Sequence, residues 1–343
     1  MKIKNIVISG DNKFGSLSLS LQKAFESNNI KAETFNDTIS VESKLIITRI
    51  FIRILIFLHK LKIQDRFYQY IEKNKPDAIL ILKGFFFSEK LIKKIKYKFP
   101  DILLIYFNPD NIFNNWHFGN SNNSIIKSIK YYDINLIWTN YHREKMISHG
   151  AKLLFLFPFA ADPFLYKVDI QNINTDYKYD ISFVGSWDEE RERILNELLN
   201  YDLNIWGNDW HKANTKLRKK WKGVEAVGDN LLEICIQSKI NLNLIRKQNI
   251  PGLNMRTFEI PYCRGFFIST RTIDATNIFK ENLSGGYFTG TQELKSQINY
   301  FLKNKESRTK KIIFAKEISK NHTYEIRVRD LLKYINNISY KNV

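Results

Sequence analysis

The chain has 343 residues, of which 44% are hydrophobic and 14% aromatic, with a formal net charge of +18 and two cysteines. One hydrophobic core rarely grows past ~250–300 residues, so two domains are expected, and the apolar content excludes disorder and fibrous repeats. Cys235 and Cys263 cannot make a disulfide framework or a four-thiolate zinc site. The charge is 24 basic against 14 acidic residues in 1–165 and 29 against 21 in 166–343, too even for a nucleic-acid-binding arm.

Met1 to Ile8 reads as a strand rather than a signal peptide, and 45–58 is too short and too charged to span a bilayer. The strand at 4–8 leads through a glycine-containing turn into a helix at 16–27, where Leu17, Leu21 and Phe25 recur at helical spacing. A short strand near 31–35, helices at 45–62 and 66–74, and the continuous apolar run 78–82 follow. Such a run suits a strand buried on both faces of a parallel sheet. Further strands are expected at 102–107 and 136–138, with helices at 88–97, 124–131 and 140–149. The stretch from Phe157 to Tyr179 reads as a linker closing a first domain of 1–165. The alternation then restarts with strands at 181–185, 203–207, 240–244 and 266–269. Helices at 189–199, 230–238, 255–263 and 291–303 accompany them, and a closing helix covers 324–336. Two successive doubly wound α/β units are predicted.

In such sheets ligands bind outside the carboxyl ends of the strands. The first turn, Gly10 to Gly15, opens a helix and has glycines that permit close backbone approach. Gly10, Phe14 and Gly15 are therefore candidates for an acceptor or phosphate loop. The turn lacks both nucleotide-loop signatures, with Ser16 where the lysine would stand, so an ordinary strand-to-helix turn is equally open. In the second half, Gly185 and Ser186 end a strand and Arg191 lies one turn into the next helix. Asn243 and Arg246 end another. Arg256 and Glu259, at i,i+3, share a helix face. A guanidinium suits a pyrophosphate and a carboxylate suits a ribose diol, although a plain surface ion pair has the same spacing. None of the 17 aspartates lies two positions from another, so no DxD metal motif is present, and the six histidines form no close metal-ligand pair.

Several ordered elements carry a family resemblance. They are 180–186 with Arg191, Trp206-Gly207-Asn208-Asp209-Trp210, 240–243, Arg256-Thr257-Phe258-Glu259-Ile260 with Gly265, Gln292-Glu293-Leu294, and His322-Thr323-Tyr324 with Arg327. Through them residues 179–335 resemble the group 1 glycosyltransferase domain of the spore-maturation (CgeB-like) proteins. The resemblance implies the GT-B fold: two Rossmann-like domains facing a cleft, an acceptor domain at 1–165, a nucleotide-sugar domain at 179–323, and a closing segment at 324–343 that crosses back to the first domain. It also implies a glycosyltransferase that uses a UDP- or GDP-linked sugar and a saccharide acceptor, needs no metal or other cofactor, and works in cell-surface glycan synthesis. By the same resemblance Glu259 binds the donor ribose, and Arg191, Arg256 and Arg246 neutralise the pyrophosphate. Gly185 and Ser186 give backbone access, Trp206 and Gly207 lie near the base, and Asn243 and Thr257 complete the donor set.

An inverting transfer needs a general base near the acceptor hydroxyl. Asp110, Asp11 and His117 follow first-domain strands and are the candidates, Asp110 first because it ends a buried strand. A retaining enzyme would need no side-chain base. The helix 45–62, with Arg49 and Arg53 on one face, is open to two readings: a buried crossover, or an interfacial helix that joins the lysines of 88–98 on an anionic membrane. The expected location is cytoplasmic, peripheral on the inner face of the membrane. The expected partners are the nucleotide-sugar, the acceptor and that surface, with no nucleic acid. A basic nucleic-acid-binding protein and a GT-B-fold epimerase or saccharide-binding relative are the alternatives.

Overall fold

A computed structural model describes residues 3–38, 49–114, 122–167, 176–223 and 226–341. The first sheet contains β1 (Asn5–Gly10), β2 (Lys31–Asn36), β3 (Ala78–Leu82), β4 (Leu103–Phe107), β5 (Ile134–Ile137) and β6 (Leu153–Leu156), in the order β2-β1-β3-β4-β5-β6. The second contains β7 (Tyr179–Val184), β8 (Leu203–Trp206), β9 (Ser238–Asn243), β10 (Phe267–Thr270) and β11 (Gly286–Phe288), in the order β11-β10-β9-β7-β8. Every pairing in both sheets is parallel. Each sheet reverses direction of winding between its first and third strands in sequence, so ligand sites are expected between β1 and β3 and between β7 and β9.

The physical reason for the layering is visible in β3. It lies between β1 and β4, and none of Ala78, Ile79, Leu80, Ile81 and Leu82 is more than 6% exposed. Each of the buried isoleucine and leucine side chains contributes roughly 1.5–3 kcal/mol through burial, which a half-polar strand could not match at that position. The helices packed on this sheet place Ile63, Phe67, Ile71, Leu91, Ile92 and Ile95 in the same core. The second sheet has its own core, built on Ile181, Phe183, Ile205, Ile240, Leu242 and Ile268.

The chain divides into one unit of Met1–Pro158 with Glu325–Val343 and another of Phe159–Tyr324. The closing helix Tyr324–Lys341 therefore returns to the first unit. There Asn28 Nδ2 donates to the Glu325 carbonyl at 3.1 Å, Arg327 Nε donates to the Pro158 carbonyl at 3.4 Å, and Tyr334 packs on Phe155. This is the crossing helix of the GT-B fold.

Some elements depart from the sequence expectation. The helices expected at 45–62 and 66–74 are one helix, Arg49–Asn74, because Ile63, Phe67 and Ile71 carry the buried stripe through the supposed break. Residues 45–48 and the side chains of 49–57, Arg49 and Arg53 included, lie outside the described residues. Two strands went unpredicted: β6 is a half-exposed edge with no alternation, and β11 is three residues long and begins with Gly286. The helix Lys305–Ser319 was also missed, since only Arg308, Ala315 and Ser319 of it are buried and no apolar period marks it. Among the described residues no helix is long and apolar enough to cross a membrane.

Candidate functional site

The donor-side residues converge at the carboxyl ends of β7 and β9. After β7 the chain turns at Gly185, where a Cβ would lie 2.9 Å from Phe183 Cζ. After β8, Gly207 has φ +128, and a Cβ there would sit 2.3 Å from the Gly185 carbonyl oxygen, so these two backbones can abut only with glycine. Two tryptophans fasten this corner: Trp210 Nε1 donates to the Gly185 carbonyl at 2.8 Å and Trp221 Nε1 to the Gly207 carbonyl at 2.9 Å. Trp206 is buried edge-on against Tyr179 and lines a cavity of about 250 Å³ with Tyr179, Ala226, Asn230 and Gln237.

Three arginines gather here, but their donors are used differently. Arg191 donates from Nη1 to the Ser186 carbonyl (2.8 Å) and from Nη2 to the Leu244 carbonyl (2.9 Å), tying the ends of β7 and β9 together. Its side chain is 12% exposed, and burial, with Arg246 next, pulls its guanidinium down to about 10, so it stays charged at neutral pH. Arg191 thus positions the loops. Arg246 is the most open of the three at 30% exposed, and its Nε pairs with Asp188 at 3.0 Å. Arg256 reaches the Val184 carbonyl from Nε at 3.3 Å and makes a close ion pair with Glu259. Burial works against its charge, yet the Glu259 carboxylate and further neighbours hold its pKa above the ordinary value.

Glu259 is 3% exposed and already held by Arg256, so a ribose diol would have to share that carboxylate with the guanidinium. Asn243 and Thr257 do not face open space. Asn243 Nδ2 donates to Thr257 Oγ1 and Ser269 Oγ at 3.1 Å each, and Asn254 Nδ2 donates to Asn243 Oδ1 at 2.9 Å. This buried network fixes helix Arg256–Tyr262 against β9 and β10. The helix Glu189–Asn196 begins with Asp188 accepting the Arg191 N–H at 2.9 Å, and Glu189, Glu190 and Glu192 crowd its first turn. Its N-terminus is therefore acidic, which leaves the arginines as the cationic groups of the site.

The first unit presents different chemistry at its switch point. A cavity of about 340 Å³ lies among Gly10, Asp11, Asp37, Lys83, Phe86 and Pro109. The loop after β1 makes several of its own hydrogen bonds. Ser16 caps its helix by accepting the Leu19 N–H at 3.4 Å, while the Ser16 and Ser18 hydroxyls both donate to the Asp11 carbonyl. Phe14 points outward, 61% exposed, and Gly15 takes φ +78. Asp11 and Asp37 line the cavity beside this loop and oppose an anion there, so the geometry lends no support to the phosphate role expected of Gly10, Phe14 and Gly15. Asp110 accepts Lys83 Nζ at 3.0 Å and is about a quarter exposed. His117 lies outside the described residues.

Asp37 was missed by the sequence reading. It is 6% exposed, and burial pushes its carboxyl up to about 7 against the opposing Ser9 hydroxyl. The signal for it existed, since Asp37 follows β2 as Asp11 follows β1. His142 is 5% exposed, lies edge-on to Trp138, and burial lowers its pKa to about 4. Cys235 and Cys263 are buried. Among the described residues no three His, Cys, Asp or Glu side chains gather as a metal site.

Comparison with known proteins bears on the fold and on part of the second unit. Residues 190–333 match the family model described as glycosyl transferase-like. No curated protein matches the chain by sequence. Among solved structures, sucrose-phosphate synthase from Thermosynechococcus elongatus superposes with a TM-score of 0.70 at 10% identity, covering 98% of this chain and 100% of that one. Anabaena HepE in complex with UDP gives 0.63 at 13% identity, over 98% and 100%. A Listeria monocytogenes protein assigned as a UDP-N-acetylglucosamine 2-epimerase gives 0.60 at 12%, over 99% and 98%. The chain has the GT-B fold, and its residues 190–333 are similar to a glycosyl transferase-like family.

Proposed function

We propose that the protein is a metal-independent glycosyltransferase of the spore-maturation (CgeB-like) kind. It moves a sugar from a UDP- or GDP-linked donor to a saccharide acceptor in cell-surface glycan or glycoconjugate synthesis. The observation that carries this reading is the convergence of Arg191, Arg246, Arg256 and Glu259 at the carboxyl ends of β7 and β9, within the region that matches a glycosyl transferase-like family. A nucleoside diphosphate leaves easily only if its developing charge is stabilised, and fixed guanidinium groups do this without reorganising. The complexes of HepE with UDP and with UDP-glucose support a nucleotide-sugar as the ligand class.

The test is calorimetric titration with UDP, GDP and their glucose conjugates. Glu259→Gln is the cleaner variant, because Glu259→Ala would leave Arg256 buried without its partner. Donor affinity should fall at least tenfold in Glu259→Gln; unchanged affinity would sink the ribose role, and no binding of any nucleotide to the wild type would sink the whole reading.

An epimerase is the second reading, favoured by the Listeria neighbour. Release of nucleoside diphosphate only when an acceptor is present separates transfer from epimerisation. A cytoplasmic, membrane-peripheral location completes the proposal. Exposed Lys90, Lys93, Lys94 and Lys98 on helix Glu89–Lys98, with Tyr97 70% exposed among them, support an anionic bilayer as the surface. Flotation with phosphatidylglycerol vesicles but not with neutral ones is the expected result.

A further inference from the structure

The cavity between β1 and β3 has features that the donor-side reading does not use. At about 340 Å³ it falls at the small end of the ~300–1,000 Å³ usual for ligand pockets, enough for one sugar ring and part of a substituent. Leu17, Leu82, Phe85, Phe86 and Pro109 make its walls largely apolar. Asp37 enters from the end of β2 on a fixed turn, in which Asn36 Oδ1 accepts Thr38 N–H at 3.0 Å and Thr38 Oγ1 at 2.7 Å.

The groups around Asp37 decide what ligand fits. Ser9 and Asp11 face it from the end of β1, Lys83 from the end of β3, and His59 from helix Arg49–Asn74, with His59 Nε2 3.3 Å from the Asp37 carbonyl oxygen. Lys83 is already paired with Asp110. An anionic ligand would meet two carboxyl groups and a lysine already engaged, and a charged ligand of either sign would lose its hydration against apolar walls. A hydroxyl compound has neither difficulty. Its oxygen-bound proton can be donated to a carboxylate, and its C–H faces can lie on Phe86.

We propose that this cavity seats the acceptor as an uncharged hydroxyl compound with an apolar body, an alkyl or aryl glycoside, and that Asp37, rather than Asp110, takes the proton of the attacking hydroxyl. The proposal rests on the glycosyltransferase reading above. In the step, the acceptor oxygen forms a bond to the anomeric carbon of the donor sugar. The bond from that carbon to the diphosphate oxygen breaks, and the nucleoside diphosphate leaves with the electron pair. The hydroxyl proton passes to an Asp37 carboxylate oxygen, and no other reactant is consumed. Since the base must be ionised, the rate rises with pH through the Asp37 titration, and Asp11→Asn moves that rise to lower pH because the Asp11 charge opposes ionisation of Asp37.

Saturation-transfer NMR with octyl and phenyl β-D-glucopyranoside as monomers tests the seat. The wild type should bind at least one of them, and Phe86→Ala should weaken that binding at least tenfold. Carbon-13 carboxyl NMR should find Asp37 titrating well above the other aspartates. Where transfer to the glycoside is followed, Asp37→Asn should lower kcat at least a hundredfold with donor KM unchanged, the range expected of a lost general base. Binding of neither glycoside, binding indifferent to Phe86→Ala, an Asp37 that titrates with the ordinary carboxylates, or a kcat loss under tenfold overturns the proposal. If UDP or GDP binds while the glycosides do not, this inference falls and the functional reading stands. If the glycosides bind and no nucleotide does, the functional reading falls.

Discussion

At the carboxyl ends of β7 and β9, Arg191, Arg246 and Arg256 meet Asp188 and Glu259; at the equivalent ends of β1 and β3, Asp11, Asp37 and the Lys83–Asp110 pair surround a mostly apolar cavity. The two sheets share one winding order, so topology alone would give them the same ligand site. The side chains at the strand ends separate them. One end concentrates guanidinium groups, which suits an anion, and the other concentrates carboxyl groups against hydrocarbon, which suits a neutral hydrogen-bond donor. A fold of this kind fixes where ligands can approach, and a few residues after each strand decide their charge.

The largest expected effect bears on the carboxyl side of that contrast. Asp37 keeps its proton up to about 7 in the folded chain but only to about 3.9 when unfolded. Between those values the folded state binds more protons, so stability falls as pH rises from about 4 to about 7. At ~1.4 kcal/mol per pH unit this amounts to about 4 kcal/mol. Asp37→Asn should therefore melt higher than the wild type at pH 8 and near it at pH 4; identical melting curves at pH 8 would mean that Asp37 is not buried as a carboxyl group.

A somewhat smaller effect is expected where the backbones after β7 and β8 abut. Gly207→Ala would drive a Cβ into the Gly185 carbonyl at a φ of +128, at a cost of about 3 kcal/mol. A lowered urea midpoint reads this out, and a neutral substitution would show that the corner formed by Gly185 and Gly207 is open. The smallest effect sharpens the arginine side. Arg246→Gln should weaken UDP binding about ten- to a hundredfold, the worth of one charged hydrogen bond, with little change in melting because its pair with Asp188 is partly exposed. Arg191→Gln should instead lower the melting temperature, since it cuts both carbonyl contacts between the ends of β7 and β9. If the two variants behaved alike, the division between a binding and a positioning arginine would fail.

Much of this molecule was legible before its structure. Apolar runs such as 78–82 suit buried parallel strands, and their alternation with helices predicted two doubly wound units. The resemblance of 179–335 to group 1 glycosyltransferases, not the spacing, singled out Gly185, Arg191, Arg246, Arg256 and Glu259 as a donor set, and the fold brings Arg191, Arg246, Arg256 and Glu259 to the strand ends where ligands gather. Weak local signals hid the remainder: β6 is a half-exposed edge, β11 has three residues, and helix Lys305–Ser319 has little apolar periodicity. These elements form because neighbours already in place supply their hydrogen bonds and their burial.

What tertiary structure alone decided is the environment of each polar group. Sequence places arginines and aspartates after strands without saying which are spent on their own backbone. Arg191 became a brace because the carbonyls of Ser186 and Leu244 come within 3 Å of it, and Arg246 stayed partly open because Asp188 takes only one side of it. Asp37 became a titratable group near neutrality because β1, β3 and helix Arg49–Asn74 exclude water from it, whereas Asp110, ending a more prominent strand, is paired with Lys83. Charge and residue type are properties of the chain, but desolvation and pairing depend on which distant segments pack together, and those two terms set the chemistry of a site.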